Sequence, residues 1–282
     1  MRALAFVTAL ASTACGPAAD QARAPYAFFV AGHVYGTPGA PSVGVYPPFE
    51  GRFDRLRAEP NLALGILTGD IVDTPTDAAY DAVEADLSAL QVPVRFVAGN
   101  HDVLDRSLFQ RRYGPTYYAF RGGEDLFIVL DANLDPYNIS GDQLDFLQSE
   151  LQNVQPGQNV FLFCHQVLWW APDNRFASHP PNSVEGRPTQ TNFFDEVAPL
   201  LEDLPGPAWM FAGDVGADPQ VSQLHYGEIG DLRVVASGMG AGVEDNVVMV
   251  RVNANGDVAA RFIGLSGDDP ERLGPVNQHR IP

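Results

Sequence analysis

Lysine is missing from this chain: all 17 basic residues are arginine, against 35 aspartates and glutamates, for a formal net charge of −18 at pH 7. So acidic a chain repels phosphate backbones and anionic headgroups, which excludes electrostatically driven binding to nucleic acid or to a membrane surface. The absence of lysine itself reads as compositional bias. Cysteine is nearly absent too, with only Cys15 and Cys164. A disulfide framework is therefore excluded, and Cys164, inside the apolar run VFLFCH, reads as a small buried hydrophobe. Long apolar runs are lacking: the stretch Ala3 to Ala11 is too short to span a bilayer. No internal repeat, low-complexity tract or dividing linker interrupts the 282 residues, whose 45% hydrophobic content suffices for a core.

What the N-terminus does contain is an export signal. MRALAFVTALASTACGPAAD has an early arginine, a short apolar stretch, small residues and then Cys15. Two processing routes compete. The small residues before Cys15 resemble a bacterial lipobox, which would make Cys15 a lipidated N-terminus; Ser12 stands where that pattern carries an aliphatic residue. Ordinary signal peptidase would instead cut near Ala14, and a buried N-terminal helix is the remaining alternative. The expected organisation is a signal peptide over residues 1–15, a tether over 16–25 and one domain over 26–282. The expected location is the periplasm or cell surface as a lipoprotein, alternatively the medium, with membrane contact only through a lipid anchor.

Beyond the tether, apolar runs end abruptly in Gly, Asp, Asn or His: YAFFVAGH, LALGILTGD, VPVRFVAGN, DLFIVLDAN, NVFLFCHQ, AWMFAGD and LRVVASG. Such runs predict strands buried on both faces. Helical patterns lie between several of them. PTDAAYDAVEADLSAL opens with a cap signal, and SGDQLDFLQSELQNV offers Ser140 as N-cap. The alternation predicts an α/β sheet, and NVVMVRVNANGDVAARFIG predicts a closing antiparallel hairpin around Asn-Gly. The segment from Gln166 to Asn192 carries four prolines and is long enough to be functional.

The polar residues at the strand ends carry the chemistry. Ligands of α/β sheets gather beyond the carboxyl ends of strands. Those ends present His33, Asp70, Asn100 with His101, His165 and Asp214. Each alone has a bland reading as a turn residue or a satisfied strand-end histidine. Bland readings do not explain five strands that all stop at a metal-competent or acid-base side chain.

GDIVD at 69–73, followed by GNHD at 99–102, resembles the GDxxD and GNHD elements of the calcineurin-like metallophosphoesterases. His165 resembles that family's isolated histidine, and YGPTYYAF, FIVLDAN and SGDQLDFLQSEL resemble its middle region. The resemblance implies a four-layer α-β-β-α sandwich and hydrolysis of phosphate esters. It also shows two departures. The family opens with Asp-x-His, where this chain reads Ala31-Gly32-His33, and it carries Gly-His-x-His near its end, where this chain reads Gly213-Asp214-Val215-Gly216.

Both departures fall on the same ion of the family's two-metal site. That ion would keep only His33 and a share of Asp70. The other would keep Asp70, Asn100, His165 and Asp214. The resemblance thus implies one divalent ion rather than two, with the oxygen-rich donor set favouring Mn²⁺ or Fe²⁺ over Mg²⁺ or Zn²⁺. It implies His101 as proton donor to the leaving oxygen, supported by Asp102, while Asp73 reads as a loop-holding residue. His33 is left open between contact with substrate phosphate or the attacking water, a weak second metal site, and a structural role, and the general base is left open between Asp214 and His33; Asn100 is also a candidate for substrate contact. Trp169, Trp170, His179 and Asn182, with Tyr117 and Tyr118, are candidates to cover the substrate or simply to pack. The substrate would be a phosphorylated small molecule or an extracellular ester. The rival reading is a non-catalytic protein that uses the remaining pocket to bind a phosphorylated ligand or a partner.

Overall fold

The computed structural model describes residues 23–40, 43–240 and 242–282; the expected signal peptide with Cys15, and the expected tether before Arg23, lie outside them. The chain first lays down β1 (Tyr26–Ala31), β2 (Leu62–Thr68) and β3 (Val94–Val97). It then builds β4 (Tyr118–Gly122), β5 (Asp125–Val129), β6 (Val160–Phe163), β7 (Ala208–Ala212), β8 (Leu224–Ile229) and β9 (Leu232–Ser237). Finally it returns with β10 (Asn246–Val252) and β11 (Val258–Gly264). The helices between them are α1 (Pro47–Glu50), α2 (Phe53–Arg57), α3 (Asp77–Leu87), α4 (Arg106–Tyr113), α5 (Gly141–Leu151) and α6 (Ala198–Glu202).

Two sheets result. The first has the order β11-β10-β1-β2-β3 and the second β4-β5-β6-β7-β9-β8. Within them β1, β2 and β3 are mutually parallel, as are β5, β6, β7 and β9. The C-terminal hairpin forms as the sequence predicts and extends the first sheet beyond β1.

The central strands β1, β6 and β7 carry no charged residue because both of their faces are covered. In β1, Phe28 and Val30 face the opposite sheet while Ala27, Phe29 and Ala31 face the helices. In β5, Phe127 and Val129 point inward while Leu126 and Ile128 point outward. Between the sheets Phe28 packs edge-on against Phe127 and Phe161, with ring centroids 5.2 and 5.0 Å apart. Burying a side chain of this kind contributes roughly 1.5–3 kcal/mol. Helices on the outer face of each sheet complete the four α-β-β-α layers. Cys164 is buried and free at the end of β6.

Two strands escape the sequence reading. YAFRG (β4) and LHYGEI (β8) carry polar residues and a glycine, and their strand character comes from pairing with β5 and β9. Thr76 caps α3, its hydroxyl accepting from Ala79 N–H at 3.1 Å. Ser140 does precede α5, but its hydroxyl donates to Asp135 Oδ2 at 2.7 Å and caps nothing.

Candidate functional site

The carboxyl ends of β1, β2 and β3 from one sheet meet those of β6 and β7 from the other. His33, Asp70, Asn100, His101 and Asp214 all line one cavity of about 290 Å³, and His165 lies buried beneath it. His165 Nε2 is 3.0 Å from Asn100 Oδ1, 3.3 Å from Asp70 Oδ2 and 3.8 Å from Asp214 Oδ1. His33 Nε2 approaches the same Asp70 oxygen at 3.7 Å.

Backbone geometry makes this convergence. His33 and Asp70 take φ angles of 54° and 52°, a left-handed conformation that costs a non-glycine residue about 1–3 kcal/mol and recurs at functional sites. Gly69, at φ 83°, passes so close to His165 that a Cβ would stand 2.6 Å from Nδ1. A Cβ on Gly99 would stand 2.2 Å from the Asp70 backbone nitrogen and Oδ1. Asp70 Oδ1 also accepts from His101 N–H at 3.1 Å.

The histidines are fixed by carbonyl oxygens, which can only accept, so each Nδ1 carries the hydrogen. His165 donates to Thr68 O at 2.9 Å, His33 to Met239 O at 3.0 Å and His101 to Asp73 O at 2.7 Å. Met239 belongs to the glycine-rich turn after β9. In each ring Nε2 is thereby the atom left for the site. Burial pushes His33 down to about 4 against the pull of Asp70, so it is neutral at pH 7. Burial also opposes charge on His165, but attraction to Asp70 and then Asp214 wins and raises it to about 10. For Asp70 burial favours the neutral acid; the charge of His165 outweighs it and holds the carboxyl well below the usual range. Burial lifts Asp214 to about 6, with His165 opposing.

Among the described residues no group of three or more His, Cys, Asp or Glu side chains is arranged around a point as metal ligands. Asp70, Asn100 and Asp214 each approach His165 Nε2, and a protonated His165 supplies the positive charge between the two carboxylates. The donor chemistry nonetheless fits a divalent cation: two carboxylates, an amide oxygen and an imidazole nitrogen whose opposite nitrogen is already committed to a carbonyl. Ala31 and Gly216 carry no donor side chain, so a second ion would have only His33 and a share of Asp70.

Asp102 does not meet His101. Its carboxylate accepts from Gly99 N–H at 2.8 Å, from Ile71 N–H at 3.2 Å and from Tyr80 OH at 3.2 Å, tying together the turns after β2 and β3. Asp73 is the residue that anchors the His101 ring, through its main chain. Of the loop candidates, Asn182 reaches the cavity: its N–H donates to Asp214 O at 2.9 Å and its Oδ1 accepts from Ala217 N–H. Trp169 is buried, donating to His225 at 3.1 Å, and Trp170 lies under the Arg187 guanidinium. Tyr117 packs on Phe146, Tyr118 donates to Phe96 O, and His179 sits against His225.

Three polar contributors were not read from the sequence. Ser183 donates to Asp214 Oδ1 at 3.1 Å, Tyr35 hydroxyl lies 3.3 Å from His101 Nε2, and Asp218 lines the rim. A tyrosine two residues after His33 is a signal that was available. Ser183, inside a proline-rich loop, carries none.

The sequence model of one family, described as calcineurin-like phosphoesterase, matches residues 33–217. A 3′,5′-cyclic-nucleotide phosphodiesterase of Nostoc sp. is 29% identical over 127 residues, 42% of this chain and 45% of that protein. A probable cyclic nucleotide phosphodiesterase of Fibrobacter succinogenes is 30% identical over 112 residues, 37% and 42% of the two chains. The chain thus spans less than half the length of the curated relatives it matches. Among solved structures, a predicted phosphoesterase from Streptococcus pneumoniae aligns at TM-score 0.40 and 12% identity, covering 87% of this chain and 93% of that one. A putative 5′-nucleotidase from Staphylococcus aureus aligns at TM-score 0.43 and 12% identity, covering 87% and 55%.

Proposed function

Because the chain belongs to the calcineurin-like phosphoesterase family, we propose that it is a metal-dependent hydrolase of small phosphate esters, with one divalent ion held by Asp70, Asn100, His165 and Asp214. The observation that carries this reading is the convergence of those four donors beneath a cavity that also presents His101. Mn²⁺ or Fe²⁺ suits the donor set better than Mg²⁺ or Zn²⁺. The names of the two relatives favour a diester, including a cyclic one, over a monoester.

The bound ion would supply positive charge that acidifies the attacking water and offsets charge on the phosphoryl group. The chain's own groups do the rest. Asn100 turns Oδ1 toward His165 and keeps its amide hydrogens for a phosphoryl oxygen. His33 is neutral with Nδ1–H committed to Met239, so its Nε2 accepts a proton from the attacking water rather than donating to the phosphate. His101, held through Nδ1–H to Asp73 O, protonates the leaving oxygen from Nε2 when the ring is in its doubly protonated imidazolium form. Asp102 acts by holding the two turns that carry Asp70 and His101. We also propose export, with lipidation of Cys15, so that the substrate is met in the periplasm or at the cell surface.

Elemental analysis of the mature protein after incubation with Mn²⁺ and removal of free ion tests the metal assignment, beside hydrolysis of bis(p-nitrophenyl) phosphate. About one ion per chain, lost together with activity in Asp70→Ala and Asp214→Ala, supports the reading. No retained ion, and equal background rates in wild type and His101→Ala, would replace it with the non-catalytic phosphoryl-binding protein.

A further inference from the structure

A second chamber of about 310 Å³ adjoins the polar cavity, with Tyr35 as the wall they share. Its described lining comes from residues 35–40 and 43–44 after β1, from residues 72–74 after β2 and from the start of α3. Val43, Val72, Ala78 and Ala79 give it an apolar lining, and threonine hydroxyls and Asp73 supply its polar edge. Among the described residues no arginine, lysine or histidine lines it. Nothing there would neutralise a second phosphate, and the half-exposed Asp73 carboxylate would repel one. The same carboxylate takes the Thr74 hydroxyl on Oδ2 at 3.5 Å and has further acceptor capacity for an N–H or O–H of a neutral ligand.

Its position relates it to the chemistry. Asp73 O anchors His101 Nδ1–H at 2.7 Å, and Tyr35 hydroxyl reaches His101 Nε2 at 3.3 Å. The imidazole assigned to protonate the leaving oxygen is therefore bracketed by two residues of the chamber wall. From this juxtaposition we infer that the chamber receives the leaving-group half of the substrate, and that this half is an uncharged, ring-bearing alcohol of nucleoside size or smaller. The inference rests on the phosphoesterase reading above. A volume near the lower end of organic-ligand pockets, roughly 300–1,000 Å³, admits one such ring and excludes a chain of further nucleotides.

The test separates the chamber from the chemistry by using two probes, adenosine and inorganic phosphate, titrated calorimetrically into Mn²⁺-loaded protein. Ala78 is an exposed position at the start of α3, so Ala78→Trp fills the chamber without entering the core; Thr74→Trp fills it from the facing loop should the first variant fold poorly by circular dichroism. Adenosine binds wild type in the presence of phosphate as well as in its absence, and Trp at either position weakens it by about tenfold or more. Phosphate affinity stays within about twofold of wild type. Adenosine that fails to bind wild type, or binds wild type and both variants equally, overturns the chamber assignment. Wild type that neither binds phosphate nor cleaves bis(p-nitrophenyl) phosphate instead overturns the phosphoesterase reading, and adenosine binding then stands as a separate result.

Discussion

The imidazole of His165, from the second sheet, meets the carboxylate of Asp70, from the first, with Nε2 3.3 Å from Oδ2. With Nδ1–H already donated to Thr68 O, a proton on Nε2 and a cation at the same place are alternatives. Asp70 and Asp214 overcome the burial that disfavours that proton and raise His165 to about 10.

If the proposed ion binds there, metal loading would displace the proton. At pH 7 binding of Mn²⁺ should release about one proton, and affinity should rise as pH rises toward 10. Calorimetric titration in two buffers of different ionisation heat reads the proton directly. Identical heats in both buffers would show that His165 Nε2 is not exchanged for the ion. In chelator-treated protein the same linkage has a fixed sign. A histidine raised in the folded state contributes stability that is present below its unfolded value near 6.5 and is lost as pH climbs through about 10. Thermal midpoints of His165→Gln should not show that alkaline decline.

Asp102 carries the same sign in a lower pH window. It is buried, and burial followed by repulsion from Asp70 raises it to about 7, although Gly99 and Ile71 N–H groups pull it down. Its folded value stands above the unfolded value near 3.9, so the native state binds more protons in that window and stability falls as pH rises from about 4 to 7. Urea midpoints of Asp102→Asn should lose this slope. Asp102→Ala should cost about 3 kcal/mol, because it strands the Gly99, Ile71 and Tyr80 donors inside the protein. A wild-type slope retained in the asparagine variant would assign the titration to another group.

The strand-end pattern made much of this site legible. His33, Asp70, Asn100, His101 and Asp214 stand where apolar runs break, and the parallel topology carries all of them to one cavity. Legibility failed where the relationship is tertiary. β4 and β8 are strands only because β5 and β9 lie beside them. Asp102 follows His101 in sequence, yet the turn sends its carboxylate into the backbone of the neighbouring loop, and the more distant Asp73 holds the imidazole. Ser183 reaches Asp214 across a loop whose composition says nothing about direction.

Glycine before a functional residue is a requirement at two of these breaks. Gly69→Ala forces a Cβ onto the His165 ring at a φ that side chains avoid, and Gly99→Ala forces one onto Asp70. Neither neighbour can retreat without moving a proposed ligand. Each substitution should cost about 1–3 kcal/mol by denaturant unfolding and should lower metal occupancy. Alanine variants that keep wild-type stability and metal content would mean that the strand ends relax freely.

The anchoring of His101 orders a last set of substitutions. Its Nδ1–H is held by the carbonyl of Asp73, a group that side-chain replacement does not remove, while the Asp73 carboxylate is 3.9 Å away. His101→Ala removes the proposed proton donor and should lower kcat by about 10²–10⁴-fold with a small change in KM. Asp73→Ala keeps the carbonyl in place and should lower kcat by less than about tenfold. Tyr35→Phe removes the hydroxyl from Nε2 while keeping the ring on His33, whose centroid is 4.3 Å away, so its effect should fall between the two. Steady-state rates with bis(p-nitrophenyl) phosphate decide the order. If Asp73→Ala proved as damaging as His101→Ala, the carboxylate rather than the carbonyl would be orienting the acid.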